Sequence, residues 1–138
     1  MVKPNFTGLW IFNQERSELQ TPRPSSSRFE IEHDEPGFHM SVTHIYNGQP
    51  VTFVMDLTTD GKEYPHDFGE LKALIRLNWD GTTLTADMKV ERGDDSGTNV
   101  VRYSLQDNGQ TLVAIEQWRT LKNSYDNVWI FDKEMEMR

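Results

Sequence analysis

Gly8-Leu9-Trp10-Ile11-Phe12 is the first apolar run of the chain, and Val128-Trp129-Ile130-Phe131, close to the other end, repeats its Trp-Ile-Phe. In both copies the two aromatics stand at i and i+2, the spacing that puts them on one face of a β-strand. A sheet that closes on itself needs its first and last strands to pair. These two stretches therefore decide between an open sheet and a barrel.

The sequence between them alternates. Phe38, Met40, Val42, His44 and Tyr46 fall on one parity; so do Val51, Phe53, Met55 and Leu57. Leu71, Ala73, Ile75, Leu77 and Trp79 form another such run, and Leu84, Ala86, Met88 and Val90 another, with Thr85, Asp87 and Lys89 between them. Each run predicts a strand with one wet and one dry face. Less regular runs occupy 28–33, 98–106, 111–119 and 125–133. Asn47-Gly48, Asp60-Gly61, Asp80-Gly81, Gly93–Gly97 and Asp107-Asn108-Gly109 separate the runs with residues that accept the positive φ of tight hairpins. Segment 14–21 has room for a turn or two of helix before Pro22 and Pro24 stop it, and 22–27 reads as a loop. Glu63–Gly69, with Pro65, predicts an edge or a bulge. A two-sheet sandwich suits such a meander, but closure removes its free edges and uses the matched ends. The expected fold is an all-β, antiparallel up-and-down barrel of about 8–10 strands with little or no helix.

At 138 residues the chain is expected to form a single domain, 1–138, large enough for one core. A net charge of −8 without a basic cluster argues against nucleic acid or an anionic membrane as partner. The absence of cysteine excludes disulfides, thiol catalysis and cysteine-bound zinc. No apolar run reaches the roughly 18 residues of a membrane span. The N-terminus lacks the hydrophobic stretch of a signal peptide, so the chain reads as cytoplasmic, although removal of a leader would leave the same sequence. Met135–Arg138 reads as a frayed tail.

Gly8-Leu9-Trp10 resembles the Gly-X-Trp that opens the first strand of lipocalins and their calycin relatives, the fatty-acid-binding proteins among them. The order and length of the elements are similar, and VWIFDKE resembles the closing strand of the fatty-acid-binding proteins. The resemblance implies a bacterial lipocalin-like small-molecule carrier, with Gly8, Trp10, Phe12 and Phe131 closing the barrel. It also has departures. Trp129 stands where the family's carboxylate-binding Arg is expected, and Phe131 where its Tyr is expected. The proline-rich segment after the first strand is too short for the usual two-helix lid. Lys133 or Arg119 is left to cover Trp10.

With Trp10 and Phe12 pointing inward, the informative residues are the polar and aromatic ones on the same face: His44, Tyr46, Met55, Ile75, Tyr103, Glu116, Trp118, Tyr125, Asn127 and Trp129. An unpaired buried carboxylate costs several kcal/mol, so Glu116 must find partners, face water, or belong to a strand of opposite phase. Opposite phase is open for 111–119, where Val113, Ile115 and Gln117 are as apolar, and for 128–131, where Val128 and Ile130 compete with Trp129 and Phe131. In 98–106 it would turn Arg102 inward as a substitute anchor.

His33, His39, His44 and His66 do not form a metal-site pattern, so no metal is expected. No cofactor is expected either, haem on His44 being the one alternative. No nucleophile motif or telling pair of carboxylates appears, and no catalytic residue is assigned. The sequence thus predicts a monomer or weak homodimer that binds a small hydrophobic or aromatic molecule inside the barrel, as carrier or sensor. The alternatives are a small isomerase, decarboxylase or hydrolase using the same interior polar groups, by fold analogy, and a barrel packed solid.

Overall fold

The computed structural model describes residues 3–134; the tail Met135–Arg138 lies outside the described residues. The strands are β1 (Gly8–Phe12), β2 (Glu18–Leu19), β3 (Ser26–Asp34), β4 (Gly37–Tyr46), β5 (Gln49–Thr58), β6 (Glu63–Asp67), β7 (Leu71–Asp80), β8 (Thr83–Arg92), β9 (Asp95–Gln106), β10 (Thr111–Thr120) and β11 (Ser124–Lys133). No helix occurs among the described residues, so none is long and apolar enough to cross a membrane.

All eleven strands belong to one antiparallel sheet, ordered β5-β4-β3-β1-β11-β10-β9-β8-β7-β6, with β2 added on β11. The two ends of the chain do pair: Trp10 lies opposite Lys133 and Phe12 opposite Phe131. The break in the ring lies elsewhere, between β5 and β6, so the edges that closure was expected to remove remain there. Side chains span this seam. Phe53 of β5 meets Phe68 edge-on at 5.4 Å, Phe68 stacks on His66 at 5.8 Å, and the Asp56 N–H points at His66 Nε2 over 3.4 Å. The irregular Glu63–Gly69 segment is an edge strand and its turn, as Pro65 requires.

Segment 14–21 forms no helix. Its residues add β2 to β11 beyond the point where β1 leaves it, with Leu19 opposite Asn127. Ser17 makes the crossover possible: its buried hydroxyl donates to the Asn13 carbonyl and accepts the Ile130 N–H. The predicted 22–27 loop is also shorter than expected, because β3 begins at Ser26.

Alternation fixes the interior. β3 repeats exposed and buried residues along its whole length, and its inward side carries Ser27, Phe29, Ile31 and His33. The phase taken for β10 and β11 is the one observed, with Ala114, Glu116, Trp118, Asn127 and Trp129 inward. The competing face is partly covered as well, since Val113 and Ile130 are buried, and Asn13 and Ser17 cross over at Ile130. At Gly97 a β-carbon would meet the Arg119 carbonyl across the β9–β10 pair, so glycine permits that close approach.

One end of the barrel is packed shut. Phe6, Trp10, Phe38, Leu84 and Leu112 are buried there, and Trp10 Nε1 donates to the Phe6 carbonyl at 2.9 Å. Lys133, not Arg119, covers Trp10, its ammonium 5.7 Å from the ring centroid. Gly8 leaves the space that the Lys133 stem occupies. Arg119 instead binds Asp126 and the Trp118 and Tyr125 carbonyls. His33 completes the plug. Its Nδ1 accepts the Phe6 N–H, so its Nε2 carries the proton and donates to Glu35 at 2.6 Å; Glu35 also accepts from Trp79 Nε1 and Thr59.

Candidate functional site

The other end of the barrel is hollow. A cavity of about 480 Å³ lies between the β4–β5, β6–β7, β8–β9 and β10–β11 turns, within the usual size of a small-molecule site. Its walls are mainly apolar: Phe29, Val42, Phe53, Met55, Phe68 and Met88 are among them. Trp118 and Tyr125, a cross-strand pair near the rim, stack in parallel with centroids 5.8 Å apart. Thr21 and Pro22 stand at the mouth, where a lid would be.

Glu116 is the polar centre of this cavity. Asn127 Nδ2 and Trp129 Nε1 donate to its Oε1 at 3.0 and 3.1 Å, and Asn99 Nδ2 donates to its Oε2 at 3.0 Å. Three N–H donors on two oxygens make the pattern a carboxylate accepts. The strand register explains it: Glu116 lies opposite Asn127 on one side and Val101 on the other, with Asn99 two residues along the same inward face. Asn127 also ties the mouth to this centre. Its Oδ1 accepts the Gln20 N–H and its Nδ2 reaches Thr21 Oγ1, so the β2 segment and Glu116 share one buried amide.

Around Glu116 stand His44, Tyr46, Tyr103 and Tyr125. His44 stacks on Trp129 at 5.2 Å and shares a 2.7 Å hydrogen bond between its Nδ1 and Ser27 Oγ. Burial pushes the His44 pKa down and outweighs the upward pull of the Glu116 charge, so the ring is neutral at pH 7. Burial and the same charge push the hydroxyl pKa of Tyr46, Tyr103 and Tyr125 up, with Arg92 opposing at Tyr125. All three stay protonated and keep their donors.

No family model and no curated protein matches the chain. Solved structures do. Human cRBP IV aligns with a TM-score of 0.63 at 13% identity, covering 95% of this chain and 99% of that one. A zebrafish ileal bile acid-binding protein complexed with cholic acid aligns at 0.59 and 16% identity, covering 94% and 98%. The chain shares the nearly closed antiparallel barrel fold of these two proteins. At these identities the likeness concerns the fold alone.

Within this barrel, His44, Tyr46, Met55, Tyr103, Glu116, Trp118, Tyr125, Asn127 and Trp129 all line the cavity. Ile75 does not: it is fully buried in the core further along β7, whose first residue, Leu71, is the one that reaches the hollow. Arg102 points outward and donates to Gln117, so no anchor replaces the missing Arg from that strand. The barrel is not packed solid. Among the described residues no three His, Cys, Asp or Glu side chains gather as a metal site.

Sequence reading missed Arg92 and Asn99. Both carried a signal, since Arg92 continues the parity of Leu84–Val90 and Asn99 that of Val101 and Tyr103. Phe68, Thr21 and Pro22 had none: they reach the cavity from turns and crossings whose course alternation does not predict.

Proposed function

We propose that this barrel binds one small hydrophobic or amphipathic molecule in its interior, as a carrier or sensor. The observation that carries this reading is the hollow of about 480 Å³, walled by aromatic and aliphatic side chains at one end of an otherwise packed core. Burial of a ligand's apolar body against such walls gives about 25 cal/mol per Å² and supplies most of the affinity. The few polar groups, Glu116, Asn99, His44 and the three tyrosines, set its orientation. The same fold serves human cRBP IV and a zebrafish ileal bile acid-binding protein complexed with cholic acid, which favours this reading. Glu116 is engaged by three N–H donors and His44 by Ser27, an arrangement suited to holding a ligand more than to shuttling protons.

Native mass spectrometry of freshly purified protein tests the proposal. One co-purifying small apolar molecule per barrel, replaceable by a member of a panel of fatty acids, retinoids, haem and aromatic compounds, is the expected result. A panel in which nothing binds or raises the melting temperature overturns it.

A further inference from the structure

Glu116 is a half-buried carboxylate in an aromatic cavity, and its three hydrogen-bond donors are two neutral amides and an indole. It forms no ion pair with any described residue. Beside it, Asn99 Oδ1 is enclosed and has no hydrogen-bond partner, in a residue only 7% exposed. The orientation of that amide is set by Glu116. Turning the oxygen toward the carboxylate would place acceptor against acceptor, so the NH₂ faces Glu116 and the oxygen is left over. The inner polar end of the cavity therefore sets a carboxylate, held by three N–H donors and without a cationic partner, beside an unpartnered carbonyl dipole. Of the other ionisable groups that line it, His44 and the tyrosines are neutral, and Arg92, whose charge is felt at Tyr125, is exposed and makes no ion pair with Glu116.

We infer that the ligand of this cavity carries a protonated amine, seated at the Glu116 end, on an apolar or aromatic body held by Phe53, Phe68, Trp118, Tyr125 and Trp129. The inference rests on the cavity being a binding site and names the chemistry of its occupant. A carboxylate head at this position would meet Glu116 with like charge. An alcohol satisfies an acceptor but leaves the charge uncompensated. An ammonium supplies both the donor and the charge, and the aromatic walls attract cations through their ring faces.

Three probes with one body and three heads test this: dodecylamine, dodecanol and dodecanoate, each displacing the neutral fluorophore N-phenylnaphthylamine at neutral pH and low salt. In the wild type the amine is expected to displace at a concentration roughly tenfold or more below the acid, with the alcohol between them. Glu116→Gln keeps an acceptor on Asn127 and Trp129, and its new NH₂ can meet the Asn99 oxygen once that amide turns over. In this variant the amine is expected to lose most of its lead over the alcohol. Should Glu116→Gln fail to fold, the wild-type order decides alone. An acid or alcohol that matches the amine in the wild type, or an amine lead untouched by Glu116→Gln, overturns the inference and leaves the cavity's binding role standing. Failure of the fluorophore and all three probes to bind overturns both.

Discussion

Trp129 Nε1 donates to Glu116 Oε1 across the β10–β11 pair at 3.1 Å. The second copy of the Trp-Ile-Phe repeat thus serves two ends. Its indole face packs against His44 and Phe12, while its N–H holds the carboxylate that gives the cavity its polarity. The position where the resemblance called for a carboxylate-binding Arg instead supports a carboxylate of the protein's own.

That relationship predicts opposite fates for two substitutions. Glu116→Gln retains an acceptor for each donor pair after one amide turns over, so its stability is expected to stay within about 1 kcal/mol of wild type. Glu116→Leu leaves three interior N–H groups without an acceptor, at about 1–3 kcal/mol for each that water cannot reach. Urea unfolding of the two variants checks the order; equal stability would mean the hydrogen bonds carry little.

Trp10 tests the closed end. It is fully buried, and Trp10→Ala is expected to cost about 3–5 kcal/mol. Trp10→Phe keeps most of the packing, loses the bond to the Phe6 carbonyl, and is expected to cost about 1–2 kcal/mol. Neither residue lines the cavity, so Trp10→Phe leaves fluorophore affinity unchanged in a binding titration. A large loss of affinity would show that the two ends are coupled.

His44 predicts the acid limb of stability. Its folded pKa lies below the ordinary 6.5, first because it is buried. The unfolded chain then takes up the proton first, so this contribution is complete above about pH 6.5 and is lost as the pH falls through the folded pKa. Glu35 adds a second decline of the same sign below its ordinary 4.5: burial acts upward on its pKa, but the hydrogen bonds from His33, Trp79 and Thr59 together hold it down. Melting temperatures of wild type and His44→Gln between about pH 7 and pH 5 are expected to converge as the pH falls. Parallel curves would remove His44 from the acid limb.

Phe68 predicts how the seam behaves. β5 and β6 share no ladder hydrogen bonds, and Phe53 and Phe68 fill the gap between them. Phe68→Ala is expected to open a side entrance and to speed ligand release several-fold in stopped-flow dilution, beyond any change in association. Unchanged release would place the route at the Thr21–Pro22 mouth.

The repeat at the chain ends made the barrel legible, because two strands of matched polarity have one economical arrangement. Alternation did the same for the site, since His44, Tyr46, Tyr103 and Glu116 each share parity with obvious core neighbours. Ile75 shows the limit of that logic. Parity says which face a side chain takes, while depth along the barrel decides whether it meets hollow or core. The seam was only half legible: Pro65 marks the β6 segment as an edge or a bulge, but β5 and β6 follow one another in sequence, and their alternation does not say that this is the pair left open. Segment 14–21 has the local look of a short helix because the hydrogen bonds that shape it go to β11, more than 100 residues away.

The central claim is that the interior hollow receives a ligand, and its most direct test is fluorophore titration of wild type against a variant with the hollow filled. Met88 is half-buried on the wall, and Met88→Trp puts an indole into the space while leaving Glu116 itself in place. The account predicts saturable binding of one N-phenylnaphthylamine per wild-type barrel and a loss of at least about tenfold in affinity in folded Met88→Trp. Equal binding by the two proteins, or no saturable binding by the wild type, would contradict it.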